Sequence, residues 1–194
     1  MAVNKDEKSE KIRLQKCVEL ADVRHNENIL DLGCGKDKPL KSFLGNNVNY
    51  IGIDKILGDD LEKGLPLRVH QSKFDVIFMD EFIEHIENFK TLLMKCRDVL
   101  SEDGRIIIST PSNNRILYGD FFNGIGEDIT HIHCFRKTNM RNLARLCGLK
   151  IVAIKGTYVR FPPLLHRYVL LRTNQTIYTE VIVYKLVSRG EMLG

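Results

Sequence analysis

The stretch ILDLGCGKDKPL, residues 29–40, decides the fold that we expect for this chain. It opens with a short apolar run typical of a buried strand and then turns on two glycines, Gly33 and Gly35. Asp37 and Pro39 suit the start of a short helix, with the aspartate as N-cap and the proline in the first turn. A strand that leads through a glycine turn into a helix indicates the first unit of an α/β sheet.

Strand and helix patterns alternate through the first 150 residues. The chain opens with an amphipathic helix pattern for which Ser9 is the expected cap, and a later helix is capped by Thr138 and ended by Gly148. SEDG at residues 101–104 is predicted to be a turn into a strand. Apart from residues 28–32, strands are expected at residues 48–54, 74–79, 105–110, 149–159 and 176–187, and helices at residues 89–100 and 138–147.

The order of these patterns predicts an α/β, Rossmann-like fold with a mostly parallel sheet flanked by helices. The last two strands have no strong helix between them, so we expect an antiparallel pair at the C-terminal edge. Residues 1–194 form a single domain in this interpretation, with residues 1–8 flexible. Residues 55–73 leave room for a loop and at most one short strand.

Composition narrows the class of protein. Of 194 residues, 43% are hydrophobic and 28% charged, enough for one core. The net charge of +4 is spread along the chain, which is weak support for a nucleic-acid partner. Five cysteines without a CxxC pair favour a reducing compartment. No signal peptide or membrane span is apparent, so we expect a cytoplasmic protein with no membrane partner.

The acidic residues near the glycine turn indicate which class of ligand it could bind. In a parallel sheet, ligands lie beyond the carboxyl ends of the strands, where Asp31, Asp54 and Asp80 are expected. A dinucleotide would place its pyrophosphate near Asp37, and two like charges about 4 Å apart cost roughly 1 kcal/mol in water and nearer 4 in a shielded site. The turn therefore favours a cationic nucleoside such as S-adenosylmethionine over a nicotinamide dinucleotide.

At this point the sequence resembles the class I S-adenosylmethionine-dependent methyltransferases, in particular the ubiquinone-biosynthesis-like small-molecule group. The similar blocks occur in the family's order over about residues 25–155. Asp37 departs from a glycine that is often found in the first motif, and the segment after Asp54 is shorter than usual. The blocks are ILDLGCG, YIGID, DLEKGLP, FDVIFMDEFIEHI, LSEDGRIIISTPS and HIHCFRKTNMRNLARLCGLKI.

The resemblance implies S-adenosylmethionine as cofactor and assigns roles to matching residues. Asp31 would face the methionine ammonium, and Asp54 would accept hydrogen bonds from both ribose hydroxyls. The turn of Gly33, Cys34 and Gly35 would let the backbone approach the cofactor.

Three further roles on the cofactor side follow from the same blocks. Asp60 and Leu61 would border the adenine, although a plain surface turn explains them nearly as well. Met79 and Asp80 would lie beneath the sulfonium and hold the methionine part. For Met79, simple core packing is an equal explanation.

Methyl transfer is an in-line displacement, to which positioning contributes much of the rate enhancement. A hydroxyl acceptor would benefit from a base near neutral pH, and histidine is the obvious candidate. His85, His131 and His133 are the candidate catalytic residues, and we expect only one of the last two to point inward. No metal site is predicted, because HIH has no third or fourth ligand at recognisable spacing.

We therefore predict an enzyme that methylates a small-molecule acceptor, with O-methylation favoured over N- or C-methylation. A nucleic-acid or protein methyltransferase remains open because Arg136, Lys137, Arg141 and Arg145 form a basic cluster. From other classes, a non-catalytic S-adenosylmethionine-binding protein and an NAD-dependent oxidoreductase also remain open. Residues 111–136 and 161–174 are expected to build the acceptor pocket, and residues 118–128, with three glycines, to form a lid.

Overall fold

The computed structural model describes residues 5–59, 61, 65–111, 130–157 and 181–189. Within these residues, one six-stranded sheet is surrounded by helices. The strands are β1 (Asn28–Leu32), β2 (Asn49–Ile53), β3 (Phe74–Asp80), β4 (Leu100–Pro111), β5 (Leu149–Gly156) and β6 (Val181–Ser188). The helices are α1 (Lys5–Ala21), α2 (Leu67–His70), α3 (Phe89–Asp98) and α4 (Lys137–Leu146), with short 3-10 helices at Pro39–Phe43, Lys55–Leu57 and Ile83–His85.

The strand order is β2-β1-β3-β4-β6-β5. Strands β1 to β4 pair in parallel, and β6 pairs antiparallel with both β4 and β5. The predicted α/β, Rossmann-like sheet with an antiparallel C-terminal pair is therefore confirmed. Because β1 lies between β2 and β3, the strand order reverses there, and the carboxyl ends of these three strands meet at one edge.

Alternate residues of each strand supply two separate cores, as expected for a sheet covered on both faces. On one face, Ile29, Val76 and Phe78 pack with Leu14 and Cys17 of α1. The other face packs against α3 and α4, and its buried members include Leu30, Ile77, Met79, Ile106, Leu92, Leu93, Met140 and Leu143.

Three predicted helix caps are wrong, although the helices themselves exist. Helix α1 begins at Lys5, so Ser9 lies inside it and residues 5–8 are helical. The helix at Pro39–Phe43 is 3-10, and its cap is Lys38 in the left-handed region (φ 49°), which leaves Asp37 exposed and without a capping role. Helix α4 begins at Lys137 after Arg136, so Thr138 is already helical. The predicted terminator Gly148 has a φ of +71°.

The SEDG sequence at residues 101–104 is not a separate turn, because β4 runs through it. The pairing register jumps at this point: Leu100 lies opposite Phe74, whereas Arg105 lies opposite Val76. The turn-forming residues therefore create an irregularity inside the strand. No strand forms in the described part of residues 55–73, which holds a 3-10 helix and the single-turn α2.

The described residues include no helix that is both long and apolar enough to cross a bilayer.

Candidate active site

The glycine turn follows β1 at the carboxyl edge of the sheet. Gly33 and Cys34 both donate backbone N–H groups to the carbonyl of Ile53, at 2.9 and 3.2 Å, which fixes the turn against the end of β2. Gly33 has a φ of +75° and Gly35 a φ of +65°, a region that favours glycine.

The two glycines have different surroundings. A Cβ on Gly33 would lie 2.3 Å from Cδ2 of Phe82, so this glycine permits close packing of an aromatic ring. A Cβ on Gly35 would meet no described atom within 4 Å. Close approach of a ligand to the backbone, predicted for both positions, therefore has room at Gly35, whereas Gly33 contacts the protein itself.

Asp54 ends β2 and connects two backbone segments. Its Oδ2 accepts a hydrogen bond from the Gly35 N–H at 2.9 Å, and its Oδ1 accepts one from the Ile56 N–H at 2.9 Å. Each carboxylate oxygen has more than one acceptor position, so both retain capacity for a ribose hydroxyl. The structure places Asp54 directly beside the glycine turn, as the sequence predicts.

Asp31 lies on β1 with 2% of its surface exposed, and Oδ2 accepts a hydrogen bond from the Tyr50 hydroxyl at 2.6 Å. Burial raises the pKa of Asp31 to about 7, and the nearby Asp80 and Asp54 carboxylates add to the rise, whereas the Tyr50 hydrogen bond and Lys38 oppose it. The Asp31 carboxyl therefore titrates near neutral pH.

The last two residues of β3 differ from the sequence interpretation. Met79 is fully buried in the core on the α3 side, which supports packing as its main role. Both oxygens of Asp80 accept hydrogen bonds from Arg13 of α1, at 2.9 to 3.1 Å, and Oδ1 also accepts one from the Ser109 hydroxyl at 2.6 Å. The Asp80 carboxylate, expected to hold the methionine part, is therefore already paired with an arginine.

Of Asp60 and Leu61, the two residues predicted to border the adenine, the structure describes only Leu61. Asp60 lies outside the described residues. Leu61 is buried, with 6% exposure, in the core that includes Ile53 and Leu65. Its side chain therefore contributes to the protein core, and any contact with adenine stays a prediction.

Two glutamates follow β3, of which Glu81 is half-buried and Glu84 is buried. Neither side-chain oxygen of Glu84 has a hydrogen-bond partner among the described residues, and its surface is 0% exposed. Burial raises the pKa of Glu84 to about 8, with a further rise from the neighbouring Glu81 carboxyl. Burial likewise raises the pKa of Glu81 to about 7, whereas Arg13 opposes that rise. Glu81 also has a backbone φ of 47°, unusual for a residue with a side chain.

The three candidate histidines come together although two of them are distant in sequence. The rings of His85 and His131 meet edge to face with centroids 4.7 Å apart. His133 donates its backbone N–H to the Glu84 carbonyl at 3.1 Å, and its ring packs on Phe89 at 4.7 Å. Ile132 between them is 49% exposed.

The expectation that only one histidine of the HIH sequence would point inward is therefore wrong. In an extended segment, residues two apart share a face, so His131 and His133 both pack against the segment around Glu84 and His85. His85 Nδ1 also lies 3.0 Å from both the backbone carbonyl and the hydroxyl oxygen of Thr130, contacts that orient its ring.

Within the described residues, Glu84, His85 and His131 are the side chains that could together hold a metal ion. One potential ligand atom from each lies within 4.8 Å of the others. Carboxylate and imidazole groups suit several divalent cations. The sequence could not reveal this set, because its members come from two separate segments.

Sequence reasoning missed Tyr50, Arg13 and Glu84 as members of this region. Tyr50 and Arg13 belong to ordinary strand and helix patterns, and nothing local indicates that they pair with acids at the sheet edge. Glu84 did carry a signal, since it directly follows the apolar pair Phe82 and Ile83, and a glutamate buried among apolar residues requires a partner or a role. Of the predicted acceptor segments, residues 112–129 of the 111–136 segment and all of residues 161–174 lie outside the described residues, as does the lid at residues 118–128.

Known proteins with similar sequences are methyltransferases. Two curated relatives named "Ubiquinone biosynthesis O-methyltransferase" are similar at low identity. The protein from Azoarcus sp. (strain BH72) is 23% identical over 180 residues, covering 78% of this chain and 76% of the relative. The protein from Shewanella pealeana is 25% identical over 112 residues, covering 47% of each chain, so the match spans about half of that relative's length.

A comparison with solved structures and a comparison with family models agree with the sequence relatives. A crystal structure of an S-adenosylmethionine-dependent methyltransferase from Clostridium acetobutylicum superposes with a TM-score of 0.63 at 15% identity, covering 95% of this chain and 92% of that one. A family model described as a methyltransferase domain matches residues 8–154, which include the glycine turn, the buried carboxylates and the histidine cluster. The chain therefore belongs to the methyltransferase domain family, and its fold is similar to that of a solved S-adenosylmethionine-dependent methyltransferase.

Proposed function

We propose that this protein transfers a methyl group from S-adenosylmethionine to a hydroxyl oxygen of a small-molecule acceptor. The observation that carries the proposal is the edge-to-face contact of the His131 ring with the ring of His85, which lies in the segment that follows β3. Phe82, whose ring packs on Gly33, precedes His85 by three residues, so the segment that bears His85 also contacts the glycine turn, which supports a common site. The names of the two curated relatives support an oxygen acceptor.

The residues of the turn fit the cofactor. The open side of Gly35 accommodates a nucleoside, Asp54 accepts hydrogen bonds from the ribose, and Asp31 pairs with the ammonium of the methionine part. The exposed Asp37 disfavours a pyrophosphate at this turn. When bound, the cofactor supplies an activated methyl group on a sulfonium.

The imidazoles supply the base that a hydroxyl acceptor needs. A neutral ring of His131 or His85 would accept the proton of the acceptor hydroxyl, and the cofactor would supply the methyl group to the acceptor oxygen, its carbon–sulfur bond breaking so that sulfur leaves as a neutral thioether. His85 is oriented by its contacts with Thr130. His133, whose ring packs on Phe89 and whose backbone binds Glu84, holds the His131 segment in place. Positioning of the acceptor contributes the rest of the rate enhancement.

The test is a methylation assay with a panel of phenols, catechols, amines and thiols, read by mass spectrometry. We expect products from hydroxylated acceptors and a fall in kcat of about 10²- to 10⁴-fold for His131→Ala. Leu146→Ala, an exposed position on α4, is the control that should leave turnover unchanged. Methylation of amines alone would contradict the proposal.

Repeating the assay with a metal chelator distinguishes a mechanism that uses an imidazole base from one that uses a bound cation. Turnover that survives chelation supports the base. Turnover that disappears with chelator and returns with added Mg²⁺ would instead assign Glu84, His85 and His131 to a cation that holds the acceptor oxygen. Methylation of nucleic acid or protein, with no turnover on small acceptors, would favour a role for the exposed Arg141 and Arg145 on α4.

A further inference from the structure

We propose that Tyr50 is a positioning residue for the cofactor, whose hydroxyl holds the Asp31 carboxylate in the orientation and charge state that bind the methionine ammonium. The inference rests on the proposed function, in which Asp31 pairs with that ammonium. It assigns a role to a β2 residue that lies away from the glycine turn in sequence. Tyr50 would act through Asp31 and not by touching the reacting atoms.

The geometry of the first two strands places the hydroxyl against the carboxylate. In the parallel register, Asp31 lies opposite Gly52 and Ile29 lies opposite Tyr50. Tyr50 and Gly52 are two residues apart on one strand and share a face. The Tyr50 side chain extends along that face until its hydroxyl lies 2.6 Å from Asp31 Oδ2.

Gly52 makes this reach possible. A Cβ at Gly52 would lie 2.8 Å from the Cys34 sulfur and 3.1 Å from the Tyr50 hydroxyl oxygen. Any larger residue would therefore compete for the space through which the tyrosine reaches its partner. In the sequence YIG, Tyr50 therefore supplies a long hydrogen-bond donor, and Gly52 leaves the space that its side chain occupies.

The hydroxyl donates to Asp31 whenever that carboxyl is charged, because an ionised carboxylate can only accept. Burial and the Asp31 charge both raise the pKa of Tyr50 well above its ordinary value, so the phenol stays protonated. A hydrogen bond donated to a carboxylate favours the charged form, and the Tyr50 bond accordingly lowers the pKa of Asp31. Burial acts in the opposite sense and is the larger effect, which leaves the pKa at about 7.

Other charged groups around Asp31 also change its pKa. Asp54 and Asp80 raise the pKa of Asp31, and Lys38 lowers it. Asp80 is paired with Arg13, which reduces its influence. Burial raises the pKa of the neighbouring Cys34 thiol to about 11, so that group is neutral near pH 7. Near neutral pH, the Tyr50 hydrogen bond therefore contributes to deciding whether Asp31 is charged.

A cofactor ammonium binds the charged carboxylate far better than the neutral acid. Affinity should therefore rise with pH through the Asp31 pKa. Tyr50→Phe removes the hydroxyl and keeps the ring, so the pKa of Asp31 should move upward and the rise in affinity should move with it. A tyrosine with a merely structural role would lower affinity without moving this midpoint.

The experiment measures binding of S-adenosylhomocysteine and of 5′-methylthioadenosine by calorimetry between about pH 6 and pH 9. The second ligand keeps the nucleoside and lacks the amino-acid part. We expect Tyr50→Phe to weaken S-adenosylhomocysteine binding about tenfold at pH 7, to shift its midpoint upward and to leave 5′-methylthioadenosine unchanged. Asp31→Asn should abolish the pH dependence.

Tyr184→Phe is the matched control, because Tyr184 is a buried tyrosine on β6 whose hydroxyl has no hydrogen-bond partner among the described residues. It should leave both affinities unchanged. A ¹³C titration of Asp31 in folded Tyr50→Phe protein reads the pKa change directly, with folding checked by thermal unfolding.

An unshifted Asp31 midpoint, or equal losses for both ligands, would overturn the role of Tyr50 while leaving cofactor binding intact. Failure of the wild-type protein to bind either ligand would instead contradict the proposed function itself, and the inference would fall with it.

Discussion

At the residue scale, the carboxylates beside the glycine turn differ in what surrounds them, and this decides their chemistry. Asp54 is partly exposed and accepts two backbone N–H bonds, whereas Asp31 is buried and has Tyr50 as its hydrogen-bond donor. Asp80, equally acidic in sequence, is paired with Arg13. Three aspartates at strand ends thus take three different roles, and substitutions should separate them.

Asp54→Ala should weaken cofactor binding and loosen the turn together. The change removes the acceptor for ribose hydroxyls and for the Gly35 and Ile56 N–H groups. We expect a loss of about 1.5–3 kcal/mol in S-adenosylhomocysteine affinity by calorimetry. Asp37→Ala, an exposed acid close to the turn, is the control and should change that affinity little. Equal effects of the two substitutions would show that Asp54 has no specific role.

Asp31→Asn should stabilise the free protein at high pH. The folded pKa of about 7 lies above the ordinary 3.8, so the native state holds this proton more tightly than the unfolded chain. The free energy of unfolding therefore falls as pH rises from about 4 to about 7, by up to about 4 kcal/mol. Asparagine cannot ionise and escapes that loss.

Thermal unfolding should show Asp31→Asn with a higher Tm than wild type at about pH 8 and little difference near pH 4. The same difference in Tm at both values would mean that the pKa of Asp31 is the same in the folded and the unfolded protein.

At the element scale, α1 is attached to the active-site edge by one side chain. Arg13 reaches from the helix to Asp80 at the end of β3, and Ser109 of β4 binds the same carboxylate. The side chains of the ion pair are only 18% and 13% exposed, so water screens it weakly. Helix packing and the shape of the sheet edge are therefore coupled at this point.

Arg13→Ala should destabilise the protein by about 2–4 kcal/mol, because it leaves the Asp80 charge in a partly buried position. Urea unfolding provides the measurement. Arg24→Ala is the matched control: its partner Asp22 lies 3.9 Å away with both side chains 76% exposed, and the expected change is below about 0.5 kcal/mol. Similar losses for both arginines would show that the Arg13 pair is no more than a surface contact.

At the scale of the whole molecule, the parallel order of β2, β1 and β3 determines where a ligand can bind. The strand order reverses at β1, and the turn after it has two glycines and two flanking carboxylates at this edge. We propose that this combination accepts a nucleoside with a cationic tail and opposes a pyrophosphate.

S-adenosylhomocysteine should therefore raise the Tm, by an amount that grows with ligand concentration, and NAD should leave it unchanged. A thermal-shift titration of both ligands is the measurement. Stabilisation by NAD alone would contradict the assignment of the turn and favour an oxidoreductase.

The strands of the sheet could be predicted from the sequence, because strand patterns reflect the burial of each residue. The runs in β1, β3 and the apolar half of β4 are buried on both faces, as expected for central strands of a sheet that is covered on both sides. The glycine turn could also be predicted, since the positive φ values at Gly33 and Gly35 are adopted by few other residue types. The helix caps could not be predicted correctly at Ser9, Asp37 and Thr138. Several polar residues near the start of a helix can act as its cap, and packing selects among them.

Only the tertiary structure decided which polar groups meet. Tyr50 and Asp31, Arg13 and Asp80, and Glu84 with His85 and His131 are pairs or clusters assembled from separate segments. Local patterns report whether a side chain is buried but not which partner it finds, and burial without a known partner leaves a charge state undefined. The physical reason is that pKa values and hydrogen bonds depend on distances across the sheet, which the register of β1, β2 and β3 sets.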